Sequence, residues 1–158
     1  MMIAGHLTVA TAGFIVYIET VTDGQWGLST DVALGWVMTM IGALLPDLDH
    51  PKSTLGRRFK YISYPIVVIF GHRGITHSLI AVVGVSYAAY VFQSNIVAWL
   101  AMGYLLHLLG DYLTPSGVPL LYPYKKNYRG LIVAKTGTMG ESFLAGAILI
   151  SALAYVLI

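Results

Sequence analysis

Leu105-Leu106-His107-Leu108-Leu109-Gly110-Asp111 closes a long apolar segment, yet it carries a histidine and an aspartate four residues apart. On a helix that spacing puts both side chains on one face, about 40° apart around the axis. An imidazole and a carboxylate buried together at the end of an apolar helix are costly unless a partner satisfies them. A metal ion is one such partner, because it takes both as ligands. A structural bond between helices is another, so the surrounding chain has to decide.

That chain is apolar throughout. Of its 158 residues, 57% are hydrophobic and 10% charged, and the mean hydropathy is +0.75. Soluble domains carry roughly 25% charge, so the composition excludes an ordinary soluble globule. It predicts a single integral membrane domain over residues 1–158. The sequence has no cysteine. Disulfides and thiolate metal sites are therefore excluded, and any metal ligands must be N or O donors.

Hydrophobic patterning predicts an all-α, polytopic membrane bundle of about five helices. The spans read as 1–18, 32–45, 79–92, 96–113 and 143–158, since about 20 residues cross the hydrocarbon core. Residues 1–18 lack a basic n-region and a cleavage pattern, so they read as a span and not a signal peptide. Residues 61–70 are apolar but too short to cross, and Pro65 interrupts them. They read as a re-entrant or interfacial piece.

The positive charges orient this bundle. Eight of the nine Lys and Arg residues lie in 47–60 and 114–140, and Arg73 lies before the third span on the same side. Basic loops stay cytoplasmic. The N-terminus and both basic loops are expected inside, and the C-terminus outside.

On that topology all five histidines and four of the seven acids gather at one membrane face. His6 lies in the first turns of span one. Asp47, Asp49 and His50 follow span two, between Pro46 and Pro51, which break the helix and free neighbouring acids from pointing apart. His72, Arg73 and His77 lie in the glycine-flanked stretch before span three, where Thr76 reads as a helix cap. His107 and Asp111 end span four. Glu141 opens the last helix, where it also suits a helix N-terminus.

Three of these stretches carry a resemblance: 45–51 (Leu-Pro-Asp-Leu-Asp-His-Pro), 72–78 (His-Arg-Gly-Ile-Thr-His-Ser), and 107–111 (His-Leu-Leu-Gly-Asp) with Thr114-Pro115-Ser116-Gly117. They resemble a bacterial family of LexA-regulated, membrane-bound metal-dependent hydrolases, over nearly the whole chain. The resemblance implies an inner-membrane location, metal-dependent hydrolysis and, through LexA, expression in the SOS response. More remotely, His107-x3-Asp111 is similar to elements of zinc-dependent phospholipase C and P1-type nucleases. The sequence lacks the His-x3-Glu motif and the mature N-terminal tryptophan of those soluble enzymes.

The chemistry expected from this set is hydrolysis of a phosphoester at the cytoplasmic membrane face. His6, Asp47, Asp49, His50, His72, His77, His107 and Asp111 are the candidate ligands for one to three divalent ions. Zinc is favoured by the mixed N/O donors. Asp47 or Asp111 would bridge two ions about 3.5–4 Å apart. Asp49, Arg73 and Glu141 are the candidate catalytic residues, with Arg73 as a bidentate phosphate donor. The expected partners are the bilayer and a lipid or lipid-linked phosphate, such as a phospholipid or polyprenyl phosphate; no nucleic acid is expected. Two other classes compete. A metal or proton transporter would carry such groups at mid-bilayer depth and through both halves, where this chain has no histidine. A non-catalytic scaffold would use the polar cluster only to tie helices together.

Overall fold

The computed structural model describes residues 1–27, 29–71, 73–124 and 126–158. Seven α-helices follow one another: α1 (Ile3–Thr22), α2 (Thr30–Gly42), α3 (Thr54–Arg58), α4 (Lys60–Phe70), α5 (Leu79–Phe92), α6 (Asn95–Tyr112) and α7 (Met139–Val156). Two 3-10 turns, Pro46–Asp49 and Ile75–His77, lie between them. Among the described residues there is no strand, only one antiparallel bridge between Val118 and Tyr128.

Three helices are long and apolar enough to cross a membrane: α1, α2 with its continuation to Asp49, and α7. The other two expected spans are helices as well. α5 has only 14 residues, and α6 spends part of its 18 on the polar residues of the site. The helix ends follow the local chemistry. Gln93 takes the left-handed conformation (φ 47°) and closes α5. The Ser94 hydroxyl then accepts from Val97 N–H and opens α6. Pro65 does not interrupt its segment. It is the sixth residue of α4, where the ring removes one backbone hydrogen bond and the rest of the helix persists. Of α4's side chains only Ser63 is buried, while Tyr61, Val68 and Ile69 face outward.

The helix α6 is the hub, packed against α2, α5 and α1, and α1 in turn packs against α7. Small residues let α2 and α6 cross closely. A Cβ at Gly103 would lie 2.0 Å from Thr39 O, and one at Gly42 would lie 2.2 Å from Leu100 O. This crossing sets the end of α2 against the C-terminal half of α6, where the site is.

Residues 113–138 are more ordered than a long polar loop implies. Val118 is fully buried against Tyr104 and Leu108. Leu79 N–H donates to Leu120 O at 3.0 Å, Gly130 N–H to Tyr112 O at 2.8 Å and Ala134 N–H to Leu113 O at 3.0 Å. The segment is thus pinned across the ends of α5 and α6. The last helix begins at Met139, a turn ahead of the apolar run at 143, and Glu141 lies in its first turn as expected.

Candidate metal centre

One face of α6 presents Tyr104, His107 and Asp111, which fall at successive turns of the helix and are all buried. His6 comes from the first turns of α1 and His77 from the 3-10 turn before α5; both are fully buried. Asp47 and Asp49 come from the 3-10 turn after α2. Among the described residues, two groups of three bring ligand-type atoms within 4.8 Å of one another: His6 with His107 and Asp111, and Asp47 with His77 and His107. His107 belongs to both.

The hydrogen bonds fix which nitrogens face inward. His107 Nδ1 lies 2.7 Å from Ala43 O, an acceptor only, so Nδ1 carries the proton. His77 Nδ1 lies 3.1 Å from Asp49 Oδ2 and is held the same way. In the neutral rings both Nε2 atoms therefore carry lone pairs, and these Nε2 atoms face each other at 3.3 Å. Asp111 Oδ2 lies 3.8 Å from His77 Nε2 and 4.0 Å from His107 Nε2. Asp47 Oδ1 lies 3.9 Å from His107 Nε2. Lone pairs converging in a dry interior repel one another unless a proton or a cation sits among them.

The His6 ring stacks on His107, with centroids 3.8 Å apart and planes 6° from parallel. Its Nε2 is 3.4 Å from Asp111 Oδ1. Its Nδ1 is buried with no hydrogen-bond partner among the described residues, which is costly for a polar atom unless something binds it. The ring fits because residue 110 is glycine: a Cβ there would come within 3.0 Å of His6 Nδ1. The donor set and the orphaned nitrogen both suit a borderline cation of the zinc type.

Cations and hydroxyls support the acids. The Met1 amino group donates to Asp111 Oδ1. Arg73 Nη2 donates to Asp111 Oδ2 at 2.6 Å and its Nη1 to Gly117 O at 3.1 Å. Arg73 has φ 56°, and this aims its backbone N–H at Asp49 Oδ2, 2.8 Å away. Thr76 Oγ1 donates to the same oxygen. Thr76 thus serves Asp49 and does not cap α5 as expected; Ser78 stands at that N-cap.

The expected site residues sort by their contacts. His6, Asp47, His77, His107 and Asp111 supply the converging atoms. Arg73 reaches Asp111 and lines a cleft of about 540 Å³ with Asp47, His50, Lys52 and Arg57. His50 lines the cleft wall but belongs to neither converging group. The two acids expected to be catalytic lie outside the converging groups. Asp49 is fully buried behind His77, orienting the ring, and does not line the cleft. The two oxygens of Glu141 accept from Met2 N–H and Gly137 N–H, each at 2.6 Å, and the residue lines a separate cavity between α1 and α7. His72 lies outside the described residues.

Several contributors escaped the sequence reading. Ala43 acts through its carbonyl oxygen, which every residue has. Tyr104, whose hydroxyl donates to Thr76 O at 2.5 Å, could have been found from its place one turn before His107.

Comparison with known proteins places the chain. No solved structure matches it. It is 36% identical over 137 residues to the uncharacterized protein YvsG of Bacillus subtilis (strain 168), covering 85% of this chain and 86% of that protein. It is 37% identical over 163 residues to the inner membrane protein YdjM of Escherichia coli (strain K12), covering 95% of this chain and 80% of that one. A family model described as YdjM inner membrane protein matches residues 1–158. With every span and every residue of the cluster inside that match, the chain belongs to the YdjM inner membrane protein family.

Proposed function

We propose that the protein is a membrane-bound, metal-dependent hydrolase acting on a phosphoester of a lipid or lipid-linked substrate at the cytoplasmic face. The observation that carries this reading is the facing pair of His77 and His107 Nε2 atoms beside Asp111 and Asp47. A helix-tying scaffold would need only satisfied hydrogen bonds, whereas this arrangement leaves lone pairs converging and His6 Nδ1 unpartnered. The motif resemblance to LexA-regulated metal-dependent hydrolases, and remotely to zinc phospholipases and P1 nucleases, supports the same reading. The charge bias of the loops supports the cytoplasmic side.

His6, His77, His107, Asp111 and Asp47 would hold one or more zinc-type ions. Such an ion supplies Lewis acidity toward water and a phosphoester oxygen. Asp49 holds His77 with Nε2 inward. Arg73, already fixed by Asp111 and Gly117 O, presents its guanidinium at the cleft to bind phosphate. Asp47, with 29% of its side chain exposed, is the acid of the cluster most open to the cleft.

Metal analysis of the purified protein tests the proposal. Stoichiometric zinc-type metal is expected in the wild type and absent from His77→Ala and His107→Ala. Metal-free wild type after zinc loading would overturn it.

A further inference from the structure

An apolar groove adjoins the polar cleft. Leu44 lines the cleft and also lines an apolar groove of about 450 Å³ between α1 and α2. On the α2 side Trp36, Val37, Met40, Ile41 and Leu44 form one stripe at successive turns, over roughly 12 Å of helix rise. The polar atoms in this groove are turned on each other. Trp36 Nε1 donates to Thr11 Oγ1 at 3.3 Å, and Thr11 Oγ1 donates to Met40 Sδ at 3.6 Å. The surface left to a ligand is hydrocarbon.

The other end is cationic. Lys52, Arg57 and Arg73 line the cleft. The side chains of Lys52 and Arg57 make no ion pair among the described residues. A soluble phosphoester would use these cations and leave the groove idle. An apolar partner would fill the groove and leave the cations idle. An anionic amphiphile satisfies both ends at once.

We infer that the α1/α2 groove seats a hydrocarbon chain of an anionic lipid whose phosphate headgroup lies in the cleft under Lys52, Arg57 and Arg73. The lipid enters sideways from the bilayer. This deepens the hydrolase reading by naming how its substrate is held, and it rests on that reading only for the cleavage step. Binding stands by itself.

Fluorescence of the full chain in an unbrominated detergent tests it. Trp26→Phe and Trp99→Phe together leave Trp36, inside the groove, as the only indole. Phosphatidic acid brominated in mid-chain should quench Trp36 saturably, with half-saturation at least about tenfold below that of brominated phosphatidylcholine. Lys52→Gln with Arg57→Gln should erase that preference, and inorganic phosphate should not quench. Native mass spectrometry of the unsubstituted protein with the same two lipids reads the selectivity if the double-Phe variant fails to fold. Equal binding of the two lipids, or no quenching by either, would overturn the inference. Selective quenching without hydrolysis of any phosphoester would uphold the lipid site and sink the hydrolase. Hydrolysis of a soluble ester without selective quenching would do the reverse.

Discussion

His77 and His107 meet Nε2 to Nε2 at 3.3 Å, each with its Nδ1 already engaged. A cation between them converts repulsion into two bonds, so its binding must stabilise the fold. Ligand that binds only the native state at a hundred times its Kd contributes about 2.7 kcal/mol. For a chain of this size that is a rise in Tm of roughly 5–10 °C. Chelator-treated protein is expected to melt lower by this order and to recover with zinc. His77→Ala should show no zinc-dependent shift. A wild-type Tm indifferent to chelator and zinc alike would count against any ion at this pair.

Asp49 and Glu141 are both buried acids, and they should respond differently to loss of charge. Asp49 Oδ2 gathers His77 Nδ1, the Thr76 hydroxyl and Arg73 N–H. Asp49→Asn keeps the volume but weakens the hold on His77, and such changes lower metal affinity about 10–100-fold. Among the described residues, Glu141 accepts from the backbone N–H groups of Met2 and Gly137. Glu141→Gln turns an NH2 donor onto one of these N–H groups and should cost about 1–3 kcal/mol of stability while leaving metal affinity unchanged. Zinc titration of the two variants checks the contrast. Equal effects would place Glu141 at the metal after all.

How far the sequence could be read depended on the kind of information needed. The apolar runs of α1, α2 and α7 were plain because each is a long property of composition. His107 and Asp111 were legible as a pair because a helix fixes their relative direction. The separation of Asp49 from Asp47 was not, since both lie in one 3-10 turn and only tertiary packing decides which faces His107 and which faces His77. Glu141 looked like a site residue because it shares an end of the bundle with the histidines. Its actual partners are backbone N–H groups, and sequence assigns those no identity. The order in 113–138 was hidden for a similar reason: Leu120 O and Tyr112 O help to hold it, and a carbonyl oxygen carries no side-chain signature.

The α2/α6 crossing ties stability to the site. Gly103 approaches Thr39 O so closely that a Cβ would lie 2.0 Å away. Gly103→Ala must push the helices apart, at a cost on the order of 1–3 kcal/mol. The same displacement carries Ala43 O away from His107 Nδ1, which frees the ring to turn. Both a lower Tm and a weaker zinc affinity are expected, although Gly103 touches no ligand. Gly146 makes a control, because a Cβ there meets nothing within 4 Å; Gly146→Ala, in the interior of α7, should leave zinc affinity unchanged and raise the Tm slightly, by the roughly 0.5–1 kcal/mol that Ala gains over Gly in a helix.

Arg73 combines an unusual backbone with a fork of donors, and three substitutions separate the two. At φ 56° a side chain with a Cβ is disfavoured by roughly 1–2 kcal/mol relative to glycine. Arg73→Gly and Arg73→Ala both remove the bonds to Asp111 and Gly117 O. Gly should nevertheless be more stable than Ala by about that amount, because it relieves the backbone and keeps N–H on Asp49. Arg73→Lys keeps the charge but cannot reach both acceptors with a planar fork. Its KM for a phosphoester should rise about tenfold or more, the scale of one lost charge-assisted hydrogen bond, with zinc content intact. Melting curves of the Gly and Ala variants and the kinetics of the Lys variant are three independent readouts. If Ala proved as stable as Gly, the backbone argument would fail, and an unchanged KM in Arg73→Lys would remove the guanidinium from phosphate binding.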